Sequence, residues 1–318
     1  MADRMIIDEF LDGHPTNSVK HTVMSETVDG EPRTEAHREE VARAMAARWN
    51  GEAGRNWVDG VDRFDRLLEP MGAAVLSAAR LQPGERVVEV GSGTGQLAIQ
   101  ASRLVAPDGV VVGVDLSEPM TELARRRAAE AGITNVELVV ADAATANLPQ
   151  SHFDALVSRF GLMFFADPPA AFAHLVSRLR PGGRLAAAVW QERSESDLFA
   201  LPAAVVARLV PDLAAPPPGA PGMFALSDPS AIRRLILDAG ATDVLVESHR
   251  RLLTAGTSVT EAVTFIKSSS GFEPVIAAGP EVVDAAEQEL RRVMADHMGP
   301  TGVELGGAAW LVTARRPS

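Results

Sequence analysis

The sequence predicts an α/β chain of the doubly wound kind, built on a mostly parallel sheet. Short β-branched runs at Val87–Val90, Val110–Val114 and Val136–Val140 alternate with stretches of helical spacing. Each run ends in glycine or aspartate, and the first opens into three glycines at alternate positions, Gly91, Gly93 and Gly95. Strands apolar on both faces need cover on both faces, which helical crossovers between parallel strands supply. At 318 residues the chain can hold one such core with room for a cap or a small second domain.

The organising stretch is Arg86 to Gln96. Arg86 to Val90 reads as a buried strand, and the glycines let the backbone turn where a Cβ would collide. Leu97 to Val105 then has helical spacing, which sets the positive end of a helix beside whatever sits over the turn. The glycine register leaves the ligand open. A dinucleotide pattern counted from Gly91 needs glycine where Gln96 stands, whereas counted from Gly93 the looser form is met by Ala98. Glu89 is more informative, because a carboxylate at the mouth of the turn suits a cationic ligand and opposes a pyrophosphate.

Ahead of this strand, residues 1–34 carry turn and breaker chemistry such as Gly13-His14-Pro15 and Asp29-Gly30-Glu31-Pro32, and are expected to be a mobile tail. Residues 35–81 are expected to form a helical lid. Its helices are Thr34–Trp49, Trp57–Leu68 and Pro70–Arg80, with a loop at Asn50–Gly54. The core covers 82–190. After the turn Pro107-Asp108-Gly109, the second strand ends at Asp115, where doubly wound folds place an acid on the ribose hydroxyls. The same aspartate also reads as turn chemistry before a helix start at Ser117 and Pro119. A helix from Glu118 to Ala131 stops at Gly132. Strand three leads into Ala141-Asp142-Ala143, and Leu148-Pro149 with Phe153-Asp154 introduces strand four, Phe153 to Val157.

The succession Glu89-x-Gly91-x-Gly93-x-Gly95, Asp115, Ala141-Asp142-Ala143 and Leu148-Pro149…Phe153-Asp154 resembles class I S-adenosylmethionine-dependent methyltransferases. The resemblance continues through Ser158 to Phe165, a helix Pro168–Leu179, and the turn Arg180-Pro181-Gly182-Gly183 into a fifth strand ending at Trp190. That turn is typical of the subgroup holding the ubiquinone and menaquinone methyltransferases, and the chain is similar also to small-molecule methyltransferases of bacterial secondary metabolism. The resemblance implies a seven-stranded Rossmann-like sheet and S-adenosyl-L-methionine as cofactor. It implies cofactor contacts at Glu89, Gly91, Ser92, Gly93, Gly95, Gln96, Asp115, Leu116, Met120, Asp142, Ala143 and Ser158, with Asp142 on the adenine amino group. The implied activity is methyl transfer to oxygen or carbon of an apolar small molecule, of natural-product type. An alternative of the same fold is a cyclase or isomerase that keeps the cofactor as a bound, non-reacting element.

Two regions exceed a bare sheet: a cap insertion at 191–227, with a helix from Ser196 to Val210, and a second at 251–306 within 228–318. The second carries helical patterns at Val259–Ser268 and Pro280–Met298, between strands Asp243–Glu247 and Ala308–Ala314. Long excursions at one sheet edge are where specificity usually resides, so both are expected to help enclose an apolar acceptor. Substrate contacts are expected from Trp49, Trp57, Arg159, Met163, Phe164, Phe165 and Trp190. Arg159 would hold a substrate acid, the cofactor carboxylate or a local acid such as Asp167. A general base is useful only for an unionised hydroxyl or a carbon acid, and His249 and His297 are the candidates. His152 and His174 read as surface positions, and no His/Asp/Glu spacing resembles a metal site.

Composition narrows the classes further. A net charge of -12 opposes phosphate-backbone binding, and Arg125-Arg126-Arg127 reads as a solvated helix face. The chain contains no cysteine and no tyrosine, which excludes disulfides, thiolate chemistry and a phenolic acid or base. The apolar stretch from Leu198 to Val210 is broken by Pro202 and Arg208, and the opening residues carry Asp3, Asp8 and Glu9. The expectation is a cytoplasmic enzyme with a small-molecule substrate, no nucleic-acid or membrane partner, and a homodimer as its assembly.

Overall fold

The computed structural model describes residues 27–28, 31–32, 35–148, 152–211 and 221–318. The expected mobile tail at 1–34, apart from two paired two-residue strands, and most of the Pro-rich run at 216–222 lie outside the described residues. The chain divides into two compact units. One holds the described residues up to 192 together with 221–251 and 308–318, and the other holds 193–211 and 252–307.

The larger unit begins with α1 (Glu35–Asn50), α2 (Glu52–Asp59) and α3 (Val61–Ala79). The expected loop across Asn50–Gly54 shrinks to Gly51. Gly54 is a packing glycine inside α2, where a Cβ would sit 2.0 Å from the Trp49 carbonyl oxygen. The expected break before Pro70 is also absent, because α3 runs through it. Leu67, Leu68, Met71, Gly72, Val75 and Ala79 form one buried stripe spanning the proline, and burial of that face outweighs the lost hydrogen bond.

The sheet follows as β1 (Arg86–Val90), β2 (Val110–Asp115), β3 (Val136–Val140), β4 (Phe153–Arg159), β5 (Leu179–Trp190), β6 (Thr242–Gly256) and β7 (Gly302–Arg315). Its spatial order is β3-β2-β1-β4-β5-β7-β6. The first five strands pair in parallel, and β7 pairs antiparallel to β5, with Ala309 opposite Trp190. The chain thus reverses direction of winding between β1 and β4, and doubly wound sheets bind ligands in the crevice that such a reversal opens at the strands' carboxyl ends. Helices α4 (Gln96–Val105), α5 (Glu118–Glu130), α6 (Pro168–Arg178) and α8 (Pro229–Asp238) connect the strands. Ser117, Asp167 and Asp228 cap α5, α6 and α8 with their side-chain oxygens, each ahead of a proline in the first turn.

The last two strands are longer than the sequence suggests. The extra length of β6 beyond Glu247 keeps a two-residue rhythm of burial at Leu253 and Ala255. The smaller unit contains α7 (Asp197–Leu209), α9 (Val259–Lys267), α10 (Glu273–Ala277) and α11 (Pro280–Ala295). Its core is Leu198, Val206, Val263, Phe272, Leu290 and Met294. No helix among the described residues is long and apolar enough to cross a membrane.

Candidate cofactor and acceptor site

The three glycines of the turn differ in what surrounds them. Gly91 (φ 74°) lies so close to the segment after β4 that a Cβ would be 2.7 Å from Gly161 Cα. Gly95 (φ 84°) would place one 2.8 Å from Ala124 Cβ. Both are needed for the protein's own packing. At Gly93 (φ 50°) a Cβ would meet only Met120 Sδ, at 3.9 Å, so the middle glycine borders open space. Its amide is fixed from below: Gly93 N–H donates to Asp115 Oδ2 at 2.7 Å, while Ser117 N–H donates to Asp115 Oδ1 at 2.8 Å. Asp115 therefore has the structural role of tying the glycine turn to the end of β2. Each of its oxygens keeps further acceptor capacity.

Glu89 is 2% exposed, and its Oε2 has no hydrogen-bond partner. Burial pushes its carboxyl up to about 8; the nearby Arg159 charge opposes the rise, Asp115 adds to it and the Ala98 amide opposes it. Arg159 is half-buried, and its desolvation outweighs the pull of Glu89 in holding it below the usual guanidinium value. Its Nη1 donates to Gln96 Oε1 at 2.5 Å and to the Leu68 carbonyl at 3.4 Å. Gln96 Nε2 in turn donates to the Asp65 carbonyl at 3.1 Å. The amide of Gln96 is thus engaged by protein groups. Asp167 is not the partner of Arg159; it pairs with Arg38 at 2.8 Å. Nor is the arginine run on α5 a wholly solvated face. Arg127 pairs with Asp65 and donates to the Thr94 carbonyl at 2.7 Å, and Arg125 donates to the Leu138 carbonyl at 2.6 Å.

The end of α1 is latched onto the start of α5. Asn50 Nδ2 donates to the Leu116 carbonyl at 2.9 Å, and Asn50 Oδ1 accepts from Glu118 N–H at 2.9 Å. Ser117 Oγ donates to the Trp49 carbonyl at 2.7 Å while accepting from Met120 N–H at 3.4 Å. Trp49 meets Phe164 edge to face at 5.1 Å, and both rings are half-buried. Ser117→Ala is expected to cost about 1–2 kcal/mol in urea unfolding, since a buried hydroxyl loses both a cap and an interhelical bond. An unchanged midpoint would show that the latch contributes nothing.

Residues 87–183 match the methyltransferase domain family. Over that stretch the chain is similar to methyltransferases. It is 35% identical over 127 residues to the aklanonic acid methyltransferase DauC of Streptomyces sp. (strain C5), covering 39% of this chain and 58% of that one. It is 40% identical over 106 residues to the ubiquinone/menaquinone biosynthesis C-methyltransferase UbiE of Pseudomonas putida, covering 33% and 41%. The chain thus spans less than two thirds of either relative. Among solved structures it resembles YcgJ of Bacillus subtilis, with a TM-score of 0.51 at 16% identity, over 78% of this chain and 98% of that one.

S-adenosyl-L-methionine, the cofactor implied by the resemblance to methyltransferases, fits the residues of this site. A buried carboxylate oxygen without a donor suits the ligand's ammonium group, and the space beside Gly93 is where a Cβ would intrude. Glu89, Asp115 and Asp142 stand at the carboxyl ends of β1, β2 and β3, so the sheet brings these acids to one edge. Asp142 Oδ1 accepts from Ala144 N–H at 2.9 Å, which fixes the turn that also carries Ala143. Leu116 and Met120 flank the cap of α5. Ser92 is buried with its hydroxyl unpartnered, and Ser158 is committed, donating to the Val90 carbonyl at 2.7 Å.

Other expected contacts are sorted by the same geometry. Trp190 is stacked 3.8 Å from Phe160, whose φ of 64° is a left-handed conformation for a non-glycine residue at the exit of β4. Met163 Sδ accepts from Trp190 N–H at 3.4 Å, and Phe165 packs edge-on to Phe172. Trp57 is stacked on Phe64 at 3.9 Å. Of the expected aromatic residues, Trp49, Trp57 and Phe164 are the half-buried ones. The structure does not bring His249 to the glycine turn. His249 is on β6, four strands from β1, which is about 19 Å at the usual strand spacing. His297 belongs to the smaller unit, where its Nδ1 donates to the Val293 carbonyl at 2.8 Å. His174 is half-buried, with its Nε2 3.1 Å from the Ala146 carbonyl. Among the described residues no group of three or more His, Asp or Glu side chains could hold a metal ion.

Proposed function

We propose that the chain is an S-adenosylmethionine-dependent methyltransferase acting on oxygen or carbon of an apolar, aromatic small molecule of natural-product type. The observation that carries this reading is Glu89, a buried carboxyl with an unpartnered oxygen beside the open side of Gly93. Bound there, the cofactor supplies a methyl group activated by its sulfonium. The protein's part is to bind, orient and exclude water. Glu89 would take the ammonium, Asp115 the ribose hydroxyls and Asp142 the adenine amino group, while Trp49 and Phe164 would offer aromatic faces to the acceptor. His249 lies four strands from the glycine turn, and the three acids beside that turn are assigned to the cofactor. The acceptor should therefore be acidic enough to ionise unaided, as a phenol or an enolisable dicarbonyl is, so that no strong base is required.

Asp142→Ala should weaken binding of S-adenosylhomocysteine more than tenfold, about 1.4 kcal/mol, because a charge-assisted hydrogen bond is lost. Unchanged affinity would remove Asp142 from the site. The activity itself is tested with methyl-labelled cofactor and a panel of aromatic polyketide acids, phenols and quinols. Label appearing in an acceptor supports the proposal. An isomerised substrate with the label still on the cofactor would instead establish the cyclase or isomerase reading.

A further inference from the structure

We propose that two copies of this chain associate through β6, pairing antiparallel about a two-fold axis at His249. β6 is the edge of the sheet, with β7 as its neighbour in the strand order, and it is 15 residues long. A long edge strand offers unpaired backbone groups to another strand. Arg233 of α8 already donates to the Val244 carbonyl, so the open stretch begins beyond that point. Leu245 is 55% exposed, and Glu247, Ser248, Arg250 and Arg251 are also exposed.

The order of charges selects both the occupant and the register. Glu247 and Arg251 lie on the same face of the strand but about 13 Å apart along it, too far to pair with each other. In an antiparallel pair centred on His249, Glu247 of each copy stands directly opposite Arg251 of the other, so the symmetry creates two opposite-charge pairs. Shifting the centre to Ser248 sets Leu245 against Arg251, and shifting it to Arg250 sets His249 against Arg251. The first leaves Glu247 facing only the weakly basic His249, and neither alternative sets an acid against an arginine. Charges on an edge strand ordinarily block pairing. Here their placement favours the register centred on His249, in which Glu247 and Arg251 are matched twice with no like charges opposed.

The test uses the full chain and analytical ultracentrifugation. The wild type should sediment as a dimer, about twice the 33.7 kDa chain mass. Glu247→Arg and Arg251→Glu should each raise the dissociation constant at least about tenfold, because each sets like charges opposite one another twice. The double variant E247R/R251E regenerates both opposite-charge pairs with the signs exchanged and should restore the dimer. Calorimetric binding of S-adenosylhomocysteine by each variant serves as the check on folding, since these residues lie far from the glycine turn. A monomeric wild type, single variants that dimerise as the wild type does, or a double variant that fails to recover would each overturn the proposal.

Discussion

Replacing Gly93 with valine is expected to abolish binding of adenosyl ligands while leaving the chain folded. At Gly93 the nearest atom to an added Cβ is a methionine sulfur at 3.9 Å, so the branched side chain would enter the space assigned to the cofactor and not the protein's own core. The left-handed φ of 50° adds a backbone cost of about 1–2 kcal/mol, which a domain of this size tolerates. Gly91→Val is the contrasting case. Its Cβ would lie 2.7 Å from a backbone carbon of Gly161, and neither segment can move without separating β1 from the exit of β4. Thermal unfolding should therefore show Gly93→Val close to the wild type and Gly91→Val severely destabilised, with calorimetry detecting no ligand binding by Gly93→Val. Normal binding by that variant would mean the cradle lies elsewhere.

Glu89→Gln should weaken S-adenosylmethionine binding by about 10- to 150-fold, the 1.5–3 kcal/mol of a hydrogen bond to a charged group. The pH dependence distinguishes this from a merely structural loss. Without ligand the Glu89 carboxyl titrates near 8, so at neutral pH much of it is protonated. A cationic ligand binds the carboxylate form, and its affinity should rise as pH increases from 6 through 8, with a proton released on binding. Glu89→Gln should flatten that profile. The sign for stability is opposite. A carboxyl whose value in the folded chain is raised binds its proton more tightly there than when unfolded, so the unliganded protein loses stability as pH rises from the ordinary carboxyl range toward 8. Asp115 is held above its usual value by burial and contributes with the same sign, so Glu89→Gln should shallow the slope and not erase it. An affinity independent of pH would contradict the role given to Glu89.

The parallel half of the sheet was legible in the sequence because local chemistry determines it. Val87, Val88 and Val90 on both faces of a strand, followed by glycines in left-handed conformations, leave few conformations open. The family spacing of Glu89, Asp115 and Asp142 placed the three acids at one sheet edge for the same reason. What the sequence hid depends on contacts between distant residues. Gly54 and Pro70 read as breakers, yet the surface they help bury decides that α2 and α3 continue through them. The latch from Asn50 to Leu116 and Glu118 joins residues far apart in the chain, and its one visible signal, an asparagine at a helix end, is common to many helices. Arg159 drew attention as a charge at a strand exit, but its partner Gln96 is neutral and sits in the first turn of another helix. The position of His249 follows from the strand order at the far edge of the sheet, where β7 inserts between β5 and β6. Residue spacing alone contains no information about that insertion.

The central claim is that the turn at Gly91–Gly95, with Glu89 beneath it, holds an adenosyl cofactor bearing a positive charge. Calorimetric titration of the purified chain with S-adenosylmethionine, S-adenosylhomocysteine and NADH tests it most directly. One-to-one binding of both adenosyl ligands, lost in Gly93→Val, and no binding of NADH are the expected results. Binding of NADH in their place, or binding of neither adenosyl ligand, would contradict it.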